Sequence, residues 1–193
     1  MLVLWWLACA DPSPSPAEEE ETSYVAYPGD TTTADTGPGL GFDLLHEDGT
    51  ALAGQAARWT MVHGPAGGWS LTLHGELHAQ ADTEVYLQVS ASALADGDVG
   101  FTVDDLRLAA ATDATGDARF GPWPDPDVRL FPTWSGGKDD RQQICDLAGR
   151  ELPLVVTLDP LDPDTLAFTP GIEVRGTVEL LLDPYDTSAC GVR

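Results

Sequence analysis

Three side chains at alternate positions, His74, Glu76 and His78, are of types that ligate metals. Alternate residues of a strand lie about 6.6 to 7 Å apart, so two neighbours could share one ion. The outer pair is about 13 Å apart on the same geometry, so all three cannot converge. A third ligand must come from elsewhere, with His63 or an aspartate as candidates. The competing reading is an ordinary solvated strand face.

Aspartates recur at short spacing in several turn-rich stretches: Asp96-x-Asp98, Asp104-Asp105, Asp125-x-Asp127, and Asp159 with Asp162 and Asp164. Calcium takes six to eight oxygen ligands, so such clusters can rivet loops, and Asp159, Asp162 and Asp164 are the first candidates. None matches the twelve-residue helix-loop-helix pattern. The competing reading is turn chemistry, in which aspartate bonds its own backbone. No cofactor other than calcium is suggested. Trp123, in Gly-Pro-Trp-Pro-Asp-Pro-Asp, and Trp134, in Pro-Thr-Trp-Ser-Gly-Gly, lie at the two ends of a short apolar run. Loop tryptophans can form a platform for a sugar ring or a peptide; otherwise they cap the core.

Nucleophile-elbow, phosphate-loop and zincin-helix motifs do not occur in the sequence. Ser135-Gly136-Gly137-Lys138 lacks phosphate-loop spacing, and paired carboxylates cannot be picked from one dimension. The expectation is a protein that is not an enzyme.

The elements that position these residues read as strands. From Leu40 onward the apolar pattern has period two. Residues 69–78 give the clearest alternation: Trp69, Leu71, Leu73 and Leu77 face one way, with His74, Glu76 and His78 facing the other. Further strands are expected over 40–45, 58–63, 84–90, 99–110, 128–131, 152–158 and 172–182. A parity change at Asp104-Asp105 marks a bulge. Gly75 and Gly176 each replace an inward side chain, marking a bend or a slot for a neighbouring ring. Residues 141–147 suit one or two helical turns. About eight to ten strands, with at most one short helix, predict an all-β fold. An antiparallel β-sandwich is the first expectation, and a partly open β-barrel is the alternative.

The chain opens on eight apolar residues, too few for a membrane span of about 20. They suit an export segment. Leu7-Ala8-Cys9 resembles the lipobox of bacterial lipoproteins, although Trp6 stands where that class usually has leucine. The resemblance covers about ten residues and implies that Cys9 becomes a lipidated first residue. Ala10, a neutral residue after it, implies sorting to the outer membrane. A rival reading of the same residues is cleavage after Ala10, which would release a soluble secreted protein. The expected organisation is a signal segment over 1–8, a Pro/Glu/Thr-rich tether over 9–39 and one β-domain over 40–193. Within the tether, Tyr24, Val25 and Tyr27 could dock on the domain as an edge strand.

Of the three cysteines, lipidation of Cys9 would leave Cys145 and Cys190 as an even pair. A disulfide is the default in an exported protein. Net charge is −23; seven of the 32 acids lie in the tether, and all nine bases lie in 40–193. Such a surface repels nucleic acid and anionic headgroups, so membrane contact is expected through lipid alone. The function expected is a structural or interaction module at the cell envelope, with a protein or glycan partner. Carbohydrate binding through the loop tryptophans is one alternative; a metal-binding protein or metalloenzyme is the other.

Overall fold

The computed structural model describes residues 39–64, 68–95, 99–134 and 140–191. Cys9, the leader, the tether as far as 38, Tyr24, Val25, Tyr27 and the Asp96-x-Asp98 turn lie outside the described residues. Among those described, eleven strands and two short helices follow in order. The strands are β1 (Gly41–Leu44), β2 (Ala57–His63), β3 (Trp69–Thr72), β4 (Gly75–His78), β5 (Glu84–Leu94), β6 (Gly100–Ala111), β7 (Asp117–Phe120) and β8 (Arg129–Pro132). After helix α1 (Asp140–Leu147) come β9 (Glu151–Asp162), β10 (Ala167–Phe168), β11 (Ile172–Leu182) and helix α2 (Pro184–Cys190).

The fold is all-β, but the first-choice sandwich is corrected to a closed barrel. Seven strands run in the order β9-β11-β2-β3-β8-β6-β5, and β5 pairs back onto β9 over Leu87 to Ala93. Closure removes the free edges that two packed sheets would leave. One pairing also departs from the antiparallel expectation: β2 runs parallel to β11, Ala57 opposite Val178 and Met61 opposite Leu182. Alternation explains the wall. Trp59, Met61, Leu71, Leu87, Val89, Leu154, Val156, Val174 and Val178 fill the interior, while intervening residues face outward. The bulge falls where expected. Register shifts between Val89 and Ala91, opposite Asp104-Asp105, and Asp105 has φ 52°. Its backbone N–H donates to Ser90 Oγ at 3.0 Å and its carboxylate accepts from Gln88 at 2.8 Å.

A second sheet, β1-β4-β7, stands against the barrel. The expected strand over 69–78 is in fact two, because the chain leaves the barrel at Leu73 and His74 and enters this sheet at Gly75. Both junction residues are buried. Leu73 N–H bonds Val128 O, and His74 O accepts from Leu45 N–H. Gly75 is the slot expected of it: the ring of Phe42 lies where a Cβ would stand, 2.2 Å from that position. Phe42 meets Phe120 edge-on at 5.4 Å. Gly176 likewise receives Leu44, whose Cδ1 is 2.9 Å from the Cβ position. A Gly75→Ala variant is expected to lose about 2 to 3 kcal/mol in urea unfolding, the cost of forced overpacking. Gly176→Ala should lose clearly less, since only a methyl end must move.

Two helices appear where at most one was expected. α2 is started by Asp183, whose carboxylate accepts from Asp186 N–H at 2.7 Å, followed by Pro184. Gly191, at φ 69°, ends it. Cys145 on α1 and Cys190 on α2 are joined, with Cα atoms 5.4 Å apart.

Candidate functional site

The His74–Glu76–His78 constellation is not assembled. The strand break turns His74 inward, to 7% exposure, away from the wet face expected for it. Glu76 and His78 stay on the outer face of β4. His78 lies between two carboxylates, Nδ1 2.6 Å from Asp117 and Nε2 3.1 Å from Asp43. His63 stacks on Tyr185, with ring centroids 5.9 Å apart, near α2. Among the described residues, no three His, Cys, Asp or Glu side chains are grouped to hold a metal. The Asp159, Asp162 and Asp164 trio does not converge either. Asp159 accepts from Gly171 N–H at 2.9 Å, and Asp162 accepts from Asp164 N–H at 2.8 Å. Asp162 does the turn chemistry that was the competing reading, while Asp159 ties its strand to a backbone N–H twelve residues on.

The outer His78 cluster is an electrostatic lattice. Burial alone would lower the His78 pKa, but the bonds to Asp117 and Asp43 outweigh it and hold it above the ordinary 6.5. Thr115 and then His78 hold the Asp117 carboxyl below its usual range. A raised imidazole pKa stabilises the fold below pH 6.5, and that contribution is lost as pH rises through the folded value. The difference in urea midpoint between the native chain and His78→Ala should therefore shrink between pH 6 and pH 8.

The polar groups that do converge lie where the small sheet meets the barrel. A cavity of about 140 Å³ is bounded by His46, Glu47, His74, Arg119, Gly121 and Asp125, among others. The connection after β1 supplies His46 and Glu47; the β3–β4 junction supplies His74. β7 and the connection after it supply Arg119, Gly121 and Asp125. Glu47 is fixed by Thr60, whose N–H and hydroxyl donate at 3.0 and 2.6 Å. Arg119 donates one bond, to Gly49 O at 3.0 Å, and Gly49 has no Cβ to obstruct the guanidinium. His74 packs on Trp59 with centroids 5.8 Å apart. Burial, and secondarily Arg119, lower the His74 pKa, against Glu47 and Asp127, so its ring is neutral at pH 7. His46 Nδ1 is buried without a hydrogen-bond partner.

The two tryptophans separate. Trp123 is 85% exposed, at the crest of a turn in which Asp125 N–H bonds Pro122 O at 3.3 Å. Pro122 and Asp125, on either side of it in sequence, both line the cavity. The Trp123–Pro124 peptide is cis. Trp134 instead meets Phe101 edge-on at 5.6 Å and packs against the core, the capping role. It lines a second cavity, of about 290 Å³, with Trp69, Phe131 and Arg129.

His46, Arg119 and Gly121 were not singled out by residue type and spacing. Arg119 reads as one polar position between Ala118 and Phe120, and His46 as part of a turn. The local signals were His74, in its alternating His-x-Glu-x-His run, and Asp125, in its Asp-x-Asp pair. No family model matches the sequence, and a search of curated proteins finds no match.

Proposed function

We propose that the chain is an exported binding module, tethered by lipid on Cys9 at the outer membrane, that takes a glycan on the Trp123 turn. The observation that carries the reading is Trp123 itself. A large ring left 85% exposed, one residue from the wall of a polar cavity, has the shape of an aromatic platform with hydrogen-bonding groups beside it. A single exposed aromatic is ordinary; one beside convergent polar groups is the usual composition of a ligand site. This narrows the tryptophan pair expected from sequence to one member. The export and lipid parts rest on Leu7-Ala8-Cys9 and on the disulfide, which suits an oxidising compartment.

Binding of the full chain to a panel of immobilised glycans tests the reading. Trp123→Ala should weaken binding about tenfold or more, about 1.4 kcal/mol, while thermal stability moves by no more than about 0.5 kcal/mol. Equal binding by the two proteins would remove the glycan reading and leave a protein-interaction module. Mass spectrometry of the mature N-terminus tests the anchor. A diacyl or triacyl mass on Cys9 supports it, and an unmodified chain starting at Asp11 overturns it.

A further inference from the structure

We infer that the cavity beside the Trp123 turn is a binding site for one pyranose-sized sugar ring without an anionic group, hydrogen-bonded by His74, Asp125 and Arg119. The inference rests on the glycan reading and specifies which part of a glycan enters the protein.

The cavity measures about 140 Å³. A closed cavity of about 150 Å³ holds benzene, so this open one seats one face of a single pyranose and not two rings. The rest of a longer glycan must stay outside, on the Trp123 side.

His74, Arg119 and Asp125 line the cavity with donors or acceptors that the described residues leave unused. His74 is more than nine-tenths buried and lines the cavity, and no described residue hydrogen-bonds its ring. The neutral imidazole offers one donor and one acceptor, which a hydroxyl can match. Arg119 uses one of its five donors on Gly49, and the Asp125 carboxylate accepts no bond from a described residue. The Arg119 donors, the Asp125 acceptor and the ambivalent His74 imidazole therefore line one space, as the alternating hydroxyls of a sugar require.

Gly121 holds that space open. The point where its Cβ would stand is 3.8 Å from His74 Nδ1 and 3.7 Å from Asp125 Oδ2. Any side chain longer than alanine there enters the gap between them. Charge then excludes one class of sugar. Glu47, Asp48 and Asp125 outnumber Arg119 on the wall, in a chain of net charge −23. A uronate would be repelled by those carboxylates, whereas a neutral hexose or a hexosamine would not.

The test is a titration of the full chain with glucose, glucosamine and glucuronate, followed by the ring resonances of His74 in NMR spectra. A saturable His74 shift with glucose or glucosamine, at least tenfold weaker for glucuronate, is expected. Trp123→Ala should retain that shift for the free monosaccharides. Gly121→Val should abolish it; if that variant does not fold, His74→Phe keeps the ring volume, removes both nitrogens, and should weaken glucose or glucosamine binding at least tenfold by calorimetry. A His74 resonance indifferent to all three sugars, a shift that survives in Gly121→Val, or undiminished binding by His74→Phe overturns the inference. Glycan binding lost in Trp123→Ala with His74 unmoved would overturn the cavity site while sparing the platform. A His74 shift combined with unchanged glycan binding by Trp123→Ala would do the reverse.

Discussion

Replacing Trp59 with alanine is expected to lower the stability of the fold by about 4 to 6 kcal/mol, combining a lost buried ring with an orphaned carbonyl. Trp59 is fully buried on β2, and its indole N–H donates to Leu45 O at 2.9 Å. Leu45 N–H in turn bonds His74 O at 3.1 Å. One side chain therefore joins the barrel interior to the segment that leads out of β1 and to the junction that aims His74. Trp59→Phe isolates the two contributions. It keeps most of the apolar volume but strands the carbonyl, and should lose about 1 to 3 kcal/mol. Natural domains hold about 5 to 15 kcal/mol in all, so the alanine variant should sit close to its unfolding threshold. Urea titration of both variants checks this, and a loss below about 2 kcal/mol for alanine would contradict the packing described.

The second large effect is expected from the Cys145–Cys190 bond. The two residues are 45 apart in sequence, and opening a loop of that length costs about 4 kcal/mol in the chain-entropy account. Cys145→Ser with Cys190→Ser should therefore lower the melting temperature by about 8 to 16 °C, at roughly 2 to 4 °C per kcal/mol for a domain of this size. Calorimetry with and without reductant gives the same comparison on the native chain. Ile144 and Leu147 keep α1 buried on the core. α2 has only one buried residue, Asp186, which accepts from the Trp69 indole N–H at 2.6 Å. Loss of the bond should thus release α2 before the barrel, seen as early amide exchange over 184–190. An unchanged melting temperature would overturn this account of the pair.

Alternation made most of the barrel wall legible. Strands such as β2, β5, β9 and β11 bury every second residue, and that pattern survives without knowledge of partners. The bulge was legible because a parity change is itself a local signal. β7 and β10 were not, being four and two residues long with too few positions to show a period. α2 was hidden by Asp183-Pro184, which starts a helix here and resembles a turn in sequence. Closure of β5 on β9 and the parallel β2–β11 pair are non-local, so no window of the sequence contains them. His74 faces inward rather than outward for a related reason. Period two holds only while a chain stays in one sheet, and at Leu73-His74 it changes sheets. The cavity was illegible because its walls come from three segments spread from His46 to Asp125.

The β2–β11 pairing bears on how the molecule is made. Residues 57–63 have β3 on one side, but their other neighbour is 178–182, near the far end of the chain. A nascent polypeptide carrying everything up to residue 171 therefore holds an unzipped wall with two raw margins, β2 and β9. Cooperative assembly waits for the last strand to emerge. Such late, long-range stitching is slow, on the order of milliseconds to seconds. The barrel therefore acquires its closed shape only once residues 172–182 are free to pair on both sides.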